Sequence, residues 1–400
     1  MKKNINIYLV VYFFILILFA IFFLYKKHDV GNDSTIAEWI INYSGGFTKR
    51  GLIGDISIIF SNLFSYNLRD IIFVFQATTV GIYFICLYFF LRNLELNRLL
   101  LLSLFSPIFI LYPIAEIEVL ARKEIFIFIF FIVYIFIPKN KTNFHNLFKL
   151  VFFSISILIW EPVVFFLSFW VALDIIRNEN KKLNLNFLIN LCSYIPAMII
   201  AGYIALNPMS SDQHDRMVGF LKYNFSEDCY AACFLLKSKS TILDQFKDNL
   251  SLYSIETFIR YILIIIVGFG PLFLLSFHSK IKNKELFFFK NFNNLLFPFL
   301  ILLSPTLILF AMGVDWGRWV NISYVHYIIF YLYLYKNNLL YISKDSSKII
   351  NLNYISKNIY IVIFIFYCFS WNPKTVITGD VASFPGYRVP YKFIKAIINE

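Results

Sequence analysis

The sequence predicts an all-α, polytopic integral membrane protein, and three observations carry that prediction. Hydrophobic residues make up 59 % of the 400-residue chain while charged residues make up only 15 %, against about 25 % charged in a soluble domain, which needs a solvated shell. The apolar residues, 49 Phe among them, fall in long runs, and the charges fall in short clusters between the runs. The formal net charge of +12 is then a matter of membrane topology and anionic headgroups rather than of nucleic acid. The mean hydropathy of +0.69 excludes a cytosolic enzyme, a disordered chain and a disulfide scaffold. No Cys/His metal spacing, phosphate-cradling Gly loop or sustained internal repeat is present.

A bilayer core of about 30 Å takes about 20 apolar residues per helix. Eleven spans are expected, at 5–25, 70–91, 99–114, 124–138, 147–160, 162–176, 186–206, 258–277, 292–312, 319–335 and 354–371. Those at 99–114, 124–138, 147–160 and 162–176 are short, as broken or re-entrant helices lining a protein cavity are. The first span follows Met1-Lys2-Lys3 as a signal peptide would, but its apolar run is too long and no small-x-small site follows it. It reads as a retained anchor. The whole chain is expected to form one polytopic domain, 1–400, with extramembrane segments at 26–69 and 207–257 and a tail at 372–400.

With the N-terminus in the cytoplasm, the inside segments and their flanks hold 18 Lys/Arg and 5 Asp/Glu, and the outside 18 Lys/Arg and 19 Asp/Glu. Short inside loops carry Lys139, Lys141 and Lys149; Arg177, Lys181 and Lys182; and Lys280, Lys282 and Lys284, as the positive-inside rule requires. Lys26-Lys27 and Lys49-Arg50 oppose it from a long outside segment, where the rule is weak. Mid-span charges are scarce. The outside segments, unlike the inside tethers, hold the Gly, Trp, Asp, Glu and Arg that chemistry uses.

Five outside segments matter. Gly45-Gly46-Phe47-Thr48-Lys49-Arg50-Gly51 places three glycines and a basic pair before the apolar stretch 52–64. It reads as an anion seat built from free N–H groups and two cations, or as a plain solvated turn into an interfacial helix. Glu116 to Glu124 contains Glu118 and Arg122 at i,i+4, able to pair on one helix face. Arg122 or Lys123 could hold pyrophosphate, with Glu118 or Glu124 as orienting partner or base; the plainer alternative is a charged helix start. Glu161, between Trp160 and Pro162, is a carboxylate at membrane depth. Desolvation is expected to raise its pKa and suit it to proton transfer, unless it only marks a wet hairpin tip. The loop 207–257 is expected to carry short helices over the membrane face, with His214 as a candidate base or a merely solvated histidine. Cys229 and Cys233 in this loop could join in an oxidising compartment, while Cys86, Cys192 and Cys368 read as small apolar residues. The sharpest segment is Asp315-Trp316-Gly317-Arg318-Trp319, where an Asp–Arg pair beside indole rings suits phosphate and sugar recognition. The alternative there is a pair of interfacial belt tryptophans. The tail 372–400, with turns at Gly379-Asp380 and Pro385-Gly386 and a short helix at 391–398, is assigned no chemistry.

The spans, the long loop, the Phe/Ile/Asn/Lys-heavy composition and the segments 45–51, 121–124 and 315–319 together resemble the O-antigen or capsule repeat-unit polymerases (Wzy-type) of Gram-negative bacteria. These are multispan glycosyltransferases acting on lipid-linked sugars. The resemblance implies a GT-C-like bundle of about 11 transmembrane helices with a long periplasmic loop. It implies location in the bacterial inner membrane, with the N-terminus cytoplasmic and the active face periplasmic. It implies a reaction in which a glycan on undecaprenyl diphosphate is moved to the non-reducing end of another lipid-linked repeat unit, with no nucleotide sugar and no cofactor.

On that reading Lys49, Arg50, Arg122, Lys123 and Arg318 would bind diphosphate. Glu161 or Asp315 would be the catalytic base, Trp316 and Trp319 would stack on sugars, and no metal is called for. Partners would be the undecaprenyl-diphosphate-linked oligosaccharide, membrane lipids and a chain-length regulator, with no nucleic acid. The rival readings are a flippase for the same lipid-linked unit, a modifying glycosyltransferase using a polyprenyl-phosphate sugar, and a non-enzymatic scaffold.

Overall fold

A computed structural model describes residues 2–30, 34–177, 185–228, 230–234, 236–237, 242–282, 289, 292–342, 352, 354–377 and 385–398. Lys181, Lys182, Lys284, Cys229 and the turn at 379–380 lie outside the described residues. The fold is mostly helical. Among the described residues, five helices are long and apolar enough to cross a membrane: Asn6–His28, Leu68–Leu91, Thr142–Ile159, Phe187–Leu206 and Ile255–Phe277. Shorter apolar helices occupy Gly51–Phe64, Glu124–Phe136, Leu296–Met312 and Lys357–Phe369.

The first helix, Lys2–His28, ends in Lys26, Lys27 and His28, cations that suit the negative end of a helix dipole. Its buried stripe, Leu9, Phe13, Leu16, Ala20 and Leu24, repeats at three and four residues and lies against Leu68–Leu91, as an amphipathic helix packs. The helix Trp316–Lys336 is the centre of the fold, and every residue from Trp316 to Leu334 is buried. A helix buried all round needs partners for its polar groups. The Tyr324 hydroxyl donates to the Ser103 carbonyl at 2.7 Å, the Tyr327 hydroxyl to Ser276 Oγ at 2.8 Å, and Tyr331 pairs with Ser279 Oγ at 2.9 Å.

The segment expected to span at 99–114 is broken. A helix Arg98–Leu104 gives way to an irregular stretch and a single turn, Tyr112–Ala115. Pro107 and Pro113 explain the break, since proline supplies no N–H and clashes with the preceding turn. The Ile108 carbonyl of the irregular stretch accepts from Asn321 Nδ2 at 2.8 Å, and Ser106 Oγ of the same stretch donates outward to the Gly268 carbonyl at 3.0 Å. Such breaks survive at membrane depth only when buried in protein. The 162–176 segment opens as a 3₁₀ turn, Glu161–Phe166, with Pro162 in its first turn, and continues as Leu167–Arg177.

Two features depart from the sequence reading. A small antiparallel ladder joins Ser279–Ile281 to Leu340–Ile342, with Lys280 opposite Tyr341. Charges inside the helices are not scarce either: Lys149 Nζ lies 3.0 Å from Asp174 Oδ2, and both are buried. Tyr134 and Tyr194 hydroxyls donate to the same Asp174 carboxylate. Nearby, Arg177 donates to His145 Nδ1 at 3.0 Å and to the Tyr134 and Ile135 carbonyls. Lys149 and Arg177 are read from sequence as charges of short inside loops; their burial is not legible there, because each finds its partner on a different helix.

Residues 207–257 contain the helices Ser211–Phe225, Ala231–Phe234 and Ile242–Leu250. The first is started by a capping box in which Ser210 and Gln213 bond reciprocally. Cys233 is disulfide-bonded, whereas Cys86, Cys192 and Cys368 are free. A C-terminal helix spans Pro385–Ile398.

Candidate functional site

Four segments far apart in the chain bring their charges to one buried cluster. Two glycines permit the approach. A Cβ on Gly54 would stand 1.9 Å from the Ile41 carbonyl oxygen, so only glycine lets residues 39–41 lie on the helix Gly51–Phe64. A Cβ on Gly317 would stand 1.9 Å from the Lys374 carbonyl oxygen, so the strand-like tail at 372–377 can run beside Arg318. That tail is tied by Gly317 N–H to the Thr375 carbonyl at 3.1 Å and by Ile377 N–H to the Val314 carbonyl at 2.9 Å. Residues 35–39 are pinned by Trp39 Nε1, which donates to the Ala121 carbonyl at 2.5 Å, and by Gln76, which donates to the Thr35 carbonyl at 2.8 Å.

Glu38 is the hub, a residue the sequence reading did not single out. Its Oε1 lies 2.8 Å from Arg50 Nη1, 2.8 Å from Arg122 Nη1 and 3.6 Å from Arg318 Nη2. Arg50 turns its other edge to Glu161 in a two-pronged pair, Nε to Oε2 at 2.9 Å and Nη2 to Oε1 at 2.9 Å. Arg318 reaches Glu124, with Nε 2.6 Å from Oε1, and Asp315, with Nη1 2.9 Å from Oδ2. Lys123 is wholly buried, and its Nζ donates to the Arg50 carbonyl at 2.7 Å. Arg50 itself stands in the left-handed region, φ 62°, where it opens the helix Gly51–Phe64. The signal for Glu38 was present as a lone acid inside the apolar run 36–41, where an unpaired carboxylate is expensive.

Burial sets the electrostatics. It opposes the charge of Glu38, but Arg122, Arg50 and Arg318 outweigh it and hold the carboxyl well below its ordinary range. Burial opposes the charge of Arg50 as well, and Glu161 and Glu38 overcome it and push the guanidinium higher still. Lys123 differs, because burial, with Arg50 adding to it, pulls its ammonium down to about 7 against Glu38. Lys49 is lowered by burial and by Arg50, against the pull of Glu161.

Glu161 corrects an expectation. Burial does act upward on its carboxyl, but the charge and hydrogen bonds of Arg50, followed by Lys49, bring it below the ordinary value. At rest it is a carboxylate bound to arginine. The expected Glu118–Arg122 pair is also replaced: the short helix Ile117–Leu120 ends before Arg122, and Arg122 goes to Glu38.

The structure therefore brings together Arg50, Arg122, Lys123, Glu161, Asp315 and Arg318 of the expected site residues, with Lys49 half-buried beside Glu161. Lys49 makes no ion pair among the described residues. Trp319 joins them: the Arg318 guanidinium sits 5.0 Å from its ring centre and 6.0 Å from that of Trp160, and the two indoles lie 6.1 Å apart. Trp316 does not. Its ring is boxed by Tyr253, Phe258, Tyr261 and Phe310, and its Nε1 donates to the Phe310 and Gly313 carbonyls. It is 6 % exposed and Trp319 8 %, so neither indole presents an open stacking face here, and the four rings give Trp316 a packing role. His214 is buried in its helix beside Asp215, 3.3 Å away. The tail is not inert, since Asn372 and Lys374 both reach Glu116 Oε1, at 2.9 and 3.2 Å.

Among the described residues, the buried atoms Arg122 Nε, Trp160 Nε1, Trp319 Nε1 and Glu38 Oε2 have no hydrogen-bond partner. Arg122, Trp160 and Trp319 thus carry donors, and Glu38 an acceptor, that the protein itself does not satisfy. Among the described residues no group of three His, Cys, Asp or Glu side chains is placed to hold a metal ion. No family model, curated protein or solved structure matches the chain.

Proposed function

We propose that this chain is a membrane glycosyltransferase that polymerises undecaprenyl-diphosphate-linked oligosaccharide repeat units of O-antigen or capsule. In this reading it works on the periplasmic face of the bacterial inner membrane, in an eleven-span, GT-C-like bundle. One observation carries the proposal: Arg50, Arg122 and Arg318 converge on Glu38 from separate segments, with unpaired donors beside them. Buried ion pairs seldom add net stability, so a cluster this large favours a functional role. The disulfide at Cys233 supports placing its loop in an oxidising compartment.

The chemistry asks little else of the protein. The oxygen of an acceptor hydroxyl attacks the anomeric carbon of the donor glycan. The bond from that carbon to the diphosphate oxygen breaks, and its electron pair leaves with undecaprenyl diphosphate. Fixed guanidinium groups stabilise the charge that develops there, and a carboxylate, Glu161 or Asp315, takes the hydroxyl proton. The Trp319 and Trp160 rings lie beside the Arg318 guanidinium.

The test is the lipopolysaccharide or capsule banding of a strain lacking the gene. A single repeat unit on the lipid core with the ladder lost supports a polymerase. An intact ladder with altered mobility favours the modifying transferase. A second reading, a flippase for the same lipid-linked unit, is favoured by the buried Lys149–Asp174 and Arg177 groups, because a path across the membrane needs polar groups beyond one face. Loss of every repeat unit would support it.

A further inference from the structure

Arg50 is held from three directions, and only one of its holds faces outward. Glu38 fixes Nη1 and is 2 % exposed at its side chain. Lys123 fixes the backbone carbonyl. The remaining edge, Nε and Nη2, is taken by Glu161, whose side chain is 21 % exposed. If Glu161 withdrew, the guanidinium would keep its position and present a two-pronged donor edge, the geometry that carboxylate and phosphate oxygens share. Lys49, uncommitted among the described residues and close enough to act on Glu161, adds a cation beside that edge. The other carboxylates are poorer candidates: Glu38 is shared by three arginines, Glu124 is 5 % exposed, and Asp315, though 26 % exposed, takes only Nη1 of Arg318, so its release frees no two-pronged edge.

We propose that Glu161 is a stand-in anion on Arg50: a substrate oxyanion displaces it, and the displaced carboxylate is the group that accepts the proton of the attacking hydroxyl. The proposal rests on the reading above in taking that oxyanion to be the lipid diphosphate. The charged groups acting on Glu161 are Arg50, Lys49 and Lys123. Burial is the largest influence on its carboxyl and acts upward; Arg50 is the chief opposing one. Exchange of Arg50 onto the ligand leaves burial in charge, so the carboxylate gains basicity when the ligand is seated. The acceptor O–H bond then breaks toward Glu161 as the new C–O bond forms and the diphosphate departs with the old one's electrons. Departure of the diphosphate returns Arg50 to Glu161, which expels the proton to solvent. Binding thus switches the base on and product release resets it.

The experiment is calorimetric binding of inorganic pyrophosphate to the full-length protein in detergent. It is run at neutral pH in two buffers of different ionisation enthalpy. Wild-type protein is expected to take up more protons per bound pyrophosphate than Glu161→Gln, which lacks the titrating group. Glu161→Gln is also expected to bind about tenfold more tightly, because a neutral amide competes poorly for arginine. Glu161→Asp keeps the charge without the reach to Arg50. It is expected to bind more tightly than wild type and still take up the proton, and it carries the test if glutamine prevents folding. Equal or weaker binding by the variants, equal proton uptake in wild type and Glu161→Gln, or no binding by wild type overturns the exchange. An unchanged glycan ladder without the gene overturns the polymerase reading alone, since the exchange is read on pyrophosphate.

Discussion

Arg69 and Glu227, 158 residues apart, close on one another in a buried pair, with Nη2 2.8 Å from Oε2. The Tyr230 hydroxyl completes the triangle, accepting from Arg69 at 2.8 Å and donating to Glu227 at 2.9 Å. This contact latches the 207–257 segment to the start of the helix Leu68–Leu91. Removing one member leaves a buried charge unpaired, at a cost of about 3–5 kcal/mol. Glu227→Ala is therefore expected to expose that segment to limited proteolysis while the membrane helices stay protected. Unchanged cleavage kinetics would show that the latch bears no load.

Lys123 predicts a pH dependence of stability. Its ammonium ionises near 7 in the folded protein against an ordinary 10.5. Between those values the unfolded chain binds more protons, so stability rises with pH through that window, and below about 7 the full penalty is present. Lys123→Met is expected to flatten the rise of Tm between pH 7 and 10 in detergent, at the cost of the bond to the Arg50 carbonyl. A slope equal to wild type would refute the assignment.

Arg122→Ala and Arg318→Ala are expected to abolish polymer while the protein still inserts. Arg318→Lys is expected to fail as well, since a lysine cannot span Glu124, Glu38 and Asp315 as the planar guanidinium does. Banding on gels, with immunoblots of the membrane fraction, reads both points. Normal ladders in these variants would remove the arginines from the reaction.

Gly54→Ala and Gly81→Ala form a matched pair. A methyl at 54 would meet the Ile41 carbonyl at 1.9 Å, whereas at 81 nothing lies within 4 Å. Gly54→Ala is expected to push residues 39–41 away, unseat Glu38 and lower Tm. Gly81→Ala, inside the helix Leu68–Leu91, is expected to be neutral or to stabilise by up to about 1 kcal/mol. Comparable melting of the two would mean the close approach at Gly54 is dispensable.

The charged residues at the cluster were legible because apolar surroundings make every charge conspicuous. Their partners were not. Glu161 stood out as an isolated acid, but the direction of its ionisation depends on Arg50, 111 residues away, which no local pattern reveals. The role of Glu38 is illegible for the same reason, as two of its three arginines, Arg122 and Arg318, come from distant segments. Trp316 looked like a sugar platform because its neighbours in sequence are Asp315 and Arg318; its neighbours in space are four aromatic rings. Among the elements, apolar length located the long helices, and Pro107 and Pro113 marked the broken one. The length of Trp316–Lys336 was visible too. Its burial on every side was not, because its tyrosines are polar enough to mimic an interfacial face until Ser103, Ser276 and Ser279 are brought to them.

The surroundings of that helix bear on how the protein is made. Trp316–Lys336 carries Arg318, Asn321, Ser323 and His326 along its length, and it is not among the five helices apolar enough to cross a membrane on their own. Its polar groups are costly against lipid and are satisfied by protein. The helices packed on it, Glu124–Phe136, Leu167–Arg177, Ile255–Phe277 and Leu296–Leu303, precede it in synthesis, so its protein surroundings are made before it. On that order the apolar wall precedes the polar keystone, and Lys357–Phe369 closes in after it.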